Sequence, residues 1–235
     1  TSLMLQKRLL KIFLPLYFKK GLPRRIMTWL TLVMSENIIE LVSDADFSRF
    51  VDKKMACRFM GYKSEAEGEV FDELYEECLK EYLSVVDFKA CYRKSSLSFG
   101  DNDEIIFDFC TIKSKSLTKN LKGCSCVYLF AATSGVGVDR LLLKYKKTDP
   151  VKAMIIDCIA SSGIECRCDE INEMIVKNKK SRPRYSPGYG DVGLEYQNDI
   201  LSFLDAGRKI GLNLTESMMM LPVKSVTAII GIEED

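Results

Sequence analysis

The 235-residue sequence contains no histidine. That absence removes imidazole chemistry: Ser-His-Asp and Cys-His catalysis, H-E-x-x-H zinc sites and any histidine general base. The apolar run near the start, IFLPLYF at 12–18, is too short to span a bilayer and is broken by Pro15. No small-residue cleavage site marks it as an export signal. The nine cysteines include no C-x-x-C, only the C-x-C pairs Cys124/Cys126 and Cys166/Cys168. Structural zinc sites usually separate paired ligands by two to four residues, so no metal is assigned. Alternation along a strand turns Cys124 and Cys126 to the same face, into the core. Nine cysteines without an export signal point to a reducing, cytoplasmic setting rather than a disulfide framework.

Acidic residues are absent from 1–33, which hold seven basic ones, while the rest carries 27 basic against 33 acidic residues. A mildly acidic body is a poor binder of polyanions, so no nucleic-acid partner is expected. The basic start could lie on a surface as an amphipathic anchor. The preferred expectation is that the natural protein begins at Met34, with 1–33 a basic and apolar extension to which no function is assigned. Residues 34–235 then form a single domain, long enough for a proper core.

What is present is a mixture of helical and strand patterns. Residues 44–60 read as a helix capped by Asp44. In 66–83, Val70, Phe71, Leu74, Tyr75, Cys78, Leu79, Tyr82 and Leu83 recur at helical spacing. Segments 90–99 and 104–112 read as two strands joined across Gly100-Asp101-Asn102-Asp103. A short helix ends at Gly123, 124–133 is a buried strand, and VDRLLLKYKK is helical. Asp149 and Pro150 cap a further helix that runs past 170. Residues 194–206 form another, and Pro222 separates the methionine run from a final strand, 224–232. Hairpins and helices interleave without βαβ alternation, which predicts α+β with a twisted antiparallel sheet flanked by helices.

Three stretches could carry chemistry. FAATSGVGVDR has a Gly-x-Gly turn between strand and helix, but lacks the third glycine of a dinucleotide fingerprint and reads as a tight turn. On the helix after Pro150, Asp157, Ser161 and Glu165 fall at i, i+4 and i+8 and line one stripe. Gly163 in that helix costs about 1 kcal/mol relative to Ala, which makes sense where a backbone or ligand comes close. The stripe faces either solvent or a cleft, and its apolar flanks favour the cleft. In SRPRYSPGYGDV, 181–192, Pro183 and Pro187 fix φ on either side of Arg184, and Gly188 lets backbone amides come near a ligand. A held guanidinium suits bidentate carboxylate recognition, and Tyr189 offers a flat face and a hydroxyl. The loop is either an ordinary connector or a binder of a small carboxylate.

RYSPGYGD at 184–191, followed by a helix and IGLNLTESMMMLPVKSVTAIIG at 210–231, closely resembles the activation (reactivation) domain of cobalamin-dependent methionine synthase. FAATSG at 130–135 and the pair Asp157/Glu165 extend the resemblance over roughly 125–232. It implies a domain that binds S-adenosylmethionine and supports reductive remethylation of cob(II)alamin, the electron coming from flavodoxin or another reductant. It also implies that Arg184 holds the methionyl carboxylate, that Glu165 accepts from the ammonium, and that Tyr185, Ser186, Gly188 and Tyr189 supply contacts to the adenosine side, with Asp157 in the same set. An amino-acid zwitterion needs one cation and one anion, and the two motifs supply one of each.

Without histidine the chain cannot carry the D-x-H-x-x-G cobalt loop, and it has no homocysteine, folate or corrinoid module. The resemblance therefore implies a component of methionine synthase that acts in trans on a separate corrinoid-binding enzyme, with cobalamin on that partner and no catalytic residue of its own. Gly190 replaces the family's second proline, which predicts a looser loop. Two alternatives stay open: a docking module without methyl-donor binding, and an independent methyltransferase or metal-binding protein.

Overall fold

The structure is a computed structural model that describes residues 40–43, 51–63, 68–177 and 179–233. The extension 1–33 and the predicted cap Asp44 lie outside the described residues. Strand β1 (Glu40–Ser43) is followed by helices α1 (Lys53–Phe59) and α2 (Glu69–Val85). Then come β2 (Lys89–Phe99), β3 (Glu104–Phe107), β4 (Thr111–Lys113), α3 (Lys115–Leu121) and β5 (Cys124–Thr133). Helices α4 (Val136–Thr148), α5 (Pro150–Val176), α6 (Tyr196–Leu204) and α7 (Ala206–Ile210) precede β6 (Asn213–Leu214), β7 (Met220–Leu221) and β8 (Ser225–Glu233).

The main sheet is antiparallel in the order β4-β3-β2-β5-β8, with β1 pairing the first half of β2 on the same edge that β3 uses further along. Helices cover both faces, so the predicted α+β class holds. One layer packs α1, α2, α4 and α5 against Phe88, Ala90, Phe130, Ala132, Ala228 and Ile230. The other packs α3, α6 and α7 against Cys91, Val127, Leu129, Ala131 and Ile229. Apolar side chains thus leave both faces of β5 and β8, which explains their near-continuous hydrophobic sequence. Each large side chain taken fully from water, such as Phe130 or Leu129, contributes roughly 2–3 kcal/mol.

Local chemistry explains several boundaries. Helix α5 starts where Asp149 accepts from the amides of Val151 and Lys152, with Pro150 in its first turn. Helix α1 is capped by Asp52, which accepts from Met55 N. Ser162 of α5 donates to Asp52 O at 2.8 Å and accepts from Asp52 N, docking that cap beside the buried Gly163. Val70, assigned to the apolar stripe of α2, is 81% exposed in its first turn.

The predicted strand 104–112 is two strands. Asp108 accepts from Ser96 N and its own amide donates to Ser95 Oγ, while Phe107 N bonds Cys110 O and turns the chain back. The predicted common face of Cys124 and Cys126 is also corrected. An irregularity between them shifts the register of β5 against β8, so Cys124 enters the α3/α6 layer and Cys126 the α5 layer.

Candidate functional site

The loop after α5 crosses the outer edge of β8. Arg182 N donates to Gly231 O, Tyr185 N to Ile229 O and Ile229 N back to Tyr185 O, at 2.8–3.0 Å. Residues 181–185 therefore act as an extra edge strand. Pro183, which donates nothing to a ladder, sits between the bonded residues Arg182 and Tyr185, and Pro187 follows the stretch. Ser186 Oγ donates to Thr227 O at 2.6 Å, which closes the crossing.

This course brings Arg184 beside α5. Its Nη2 lies 3.3 Å from Glu165 Oε2 and 2.6 Å from Asp169 Oδ1. The predicted pair Arg184/Glu165 does converge, but as a direct ion pair, and Asp169 is a third member that sequence reasoning missed. The Arg184 side chain is only 22% exposed, and its Nη1 is buried without a hydrogen-bond partner among the described residues. Cys168 lies behind it; burial pushes that thiol up to about 12, with Arg184 pulling the other way.

Two turns earlier on the same stripe, Asp157 pairs with Lys224 Nζ at 3.0 Å, and the same ammonium donates to Ser161 Oγ at 2.8 Å. Asp157, Ser161, Glu165 and Asp169 thus form one continuous row answered by two cations, one from the loop and one from the start of β8. Lys224 was not anticipated. The structure does not bring Asp157 to Arg184; it gives it a partner of its own.

The remaining predicted residues divide into anchors and exposed groups. Tyr185 is turned inward: its hydroxyl donates to Ser116 Oγ at 2.6 Å and lies 3.1 Å from Tyr189 O. Gly188, at φ 90°, donates its amide to Val192 O within the loop. Tyr189 is 69% exposed, with its ring free of the core. The looseness predicted for Gly190 is corrected. At φ 56° it fits against Tyr185 and Ser116, and a β-carbon there would stand 2.6 Å from Ser116 Oγ. Asp191 then fastens the loop to α3 by accepting from Ser114 Oγ, Ser116 Oγ and the amides of Lys115 and Ser116. Those bonds hold its carboxyl well below the usual carboxylate range.

Elsewhere, the Gly-x-Gly turn behaves as a tight packing device. A β-carbon on Gly135 would stand 2.9 Å from Asp87 O, and one on Gly137 would overlap Val85 O. All nine cysteines are free, and among the described residues no group of three or more Cys, Asp or Glu is assembled as a metal site. No helix of the described residues is long and apolar enough to cross a membrane. An open cavity of about 330 Å³ lies between α6, α7 and β6, lined by Asn198, Ser202, Asp205, Arg208 and Asn213, and includes none of the predicted residues.

No curated protein matches this chain. Residues 167–235 match the family described as vitamin B12 dependent methionine synthase, activation domain. Among solved structures, a MetH reactivation domain bound to AdoHcy aligns with a TM-score of 0.65 at 14% sequence identity, covering 85% of this chain and 80% of that one. In sequence over its last 69 residues and in fold over most of its length, the chain is similar to the activation domain of vitamin B12-dependent methionine synthase.

Proposed function

We propose that the chain binds S-adenosylmethionine beside Arg184 and serves as an activation subunit for a separate cobalamin-dependent methionine synthase. The observation that carries this reading is the Arg184 guanidinium, seated between Glu165 and Asp169 with a buried, unpartnered Nη1. A carboxylate arriving there pairs with the guanidinium, and an ammonium takes up one of the acids that the guanidinium releases. That is the donor set an amino-acid zwitterion requires. Tyr189 projects its exposed ring from the same loop, where it can cover the adenosine end, and Gly188 keeps the backbone low beside it. Cobalamin belongs on the partner, and flavodoxin or a similar reductant supplies the electron that accompanies methyl transfer.

The match over 167–235 supports this reading because it includes Arg184, the loop and β8. Calorimetric titration with S-adenosylmethionine tests it. The native chain should bind, Arg184→Ala should lose at least tenfold in affinity, and Glu165→Ala should lose severalfold. Absence of binding by the native chain overturns the donor role.

A docking module without donor binding is the second reading. It is favoured by the apolar groups exposed around the same end of the chain: Leu194, Met219, Leu221 and Val223. Intact association with a corrinoid-binding partner, without methyl-donor binding, would leave that reading standing.

A further inference from the structure

Building on the proposed donor site, we infer that Asp169 sets its charge preference, favouring a sulfonium amino acid over the uncharged thioether. The guanidinium of Arg184 faces two carboxylates, Glu165 at 3.3 Å and Asp169 at 2.6 Å, so this trio carries a net charge of −1. Its neighbours on the row do not alter that balance: Lys224 neutralises Asp157 at 3.0 Å, and Ser161 is uncharged. The thiol of Cys168 stays protonated at neutral pH because burial opposes its ionisation.

An amino-acid ligand that is only a zwitterion leaves the site unbalanced. Its carboxylate takes Arg184 and its ammonium takes one acid, and the second acid has no partner. S-adenosylmethionine carries one more positive charge, the sulfonium, three single bonds from its α-carbon. S-adenosylhomocysteine lacks it. The spare carboxylate is therefore worth something only to the methyl donor, and the demethylated product is held less tightly. Both acids of the trio are partly exposed, at 42% and 60%, so water screens the effect. A preference of about three- to fivefold is the scale expected for such a charge pair.

The experiment is calorimetric titration of the full chain with S-adenosylmethionine and with S-adenosylhomocysteine, at low and high salt, on folded protein verified by circular dichroism. The native chain should favour the sulfonium ligand. Asp169→Asn should shrink that ratio about three- to fivefold, Asp169→Glu should restore it, and added salt should erode it in the native chain. Asp101→Asn, which removes one charge from the exposed β2–β3 turn, should leave the ratio unchanged. If Asp169→Asn weakens both ligands by the same factor, or the native chain does not distinguish them, the inference is overturned while donor binding stands. If the native chain binds neither ligand, the proposed function itself is overturned.

Discussion

Asp191 accepts a hydrogen bond from the backbone amide of Lys115 at 2.8 Å, joining the Arg184 loop to a helix 76 positions earlier. With Ser114, Ser116 and the Ser116 amide as further donors, one carboxylate organises both segments. Its folded pKa is lowered, so the stability it contributes is present above the unfolded value of about 4 and is lost as pH falls through the folded one. The native chain should therefore lose thermal stability more steeply below about pH 4 than Asp191→Asn. Melting curves from neutral to acid pH check this; parallel slopes for the two proteins would contradict it.

Gly190 offers a second test, of how firmly the loop is held. Proline requires φ near −65°, and Gly190 sits at +56°. Gly190→Pro should cost about 2 kcal/mol or more, lowering Tm by roughly 4–8 °C. Chemical denaturation would measure it, and an unchanged midpoint would mean that the loop can relocate freely.

Gly137 lies in the first turn of α4, where alanine is ordinarily worth about 1 kcal/mol over glycine. Here the added methyl would overlap the carbonyl oxygen of Val85, a backbone atom that closes α2. Gly137→Ala should accordingly destabilise by about 1–3 kcal/mol. A rise in the denaturation midpoint would refute the packing role assigned to this turn.

Four of the thiols should be silent in the folded state. Burial raises Cys91, Cys110 and Cys168 to about 12, and Cys78 to about 11. A colorimetric thiol reagent at pH 8 should leave these four unreacted at early times in the native chain and count nine thiols after denaturation. Rapid native reaction at those four positions, located by mass spectrometry, would contradict the burial.

The elements most legible in the sequence carried their own punctuation. Asp149-Pro150 marked the start of α5, and a flanking Gly123 together with an unbroken apolar run delimited β5. Asp157 and Glu165 followed from helical arithmetic, and one more step of four would have reached Asp169. Lys224 was not legible, because its partner Ser161 is 63 residues away and nothing local distinguishes a lysine at the head of a strand. The break at Asp108 and the irregularity beside Cys126 were hidden for a related reason: both depend on what lies across the sheet. The course of 181–185 along β8 was also invisible, since Pro183 inside it and Pro187 just after it argue against a strand in any local reading.

That last feature ties recognition to cohesion. The segment bearing the guanidinium is the selvage of the fabric, stitched to the outermost strand by the amides of Arg182, Tyr185, Ile229 and Glu233. A molecule that tugs on the guanidinium must register in the solvent protection of those four protons, so deuterium uptake there reads occupancy and the integrity of the hem together.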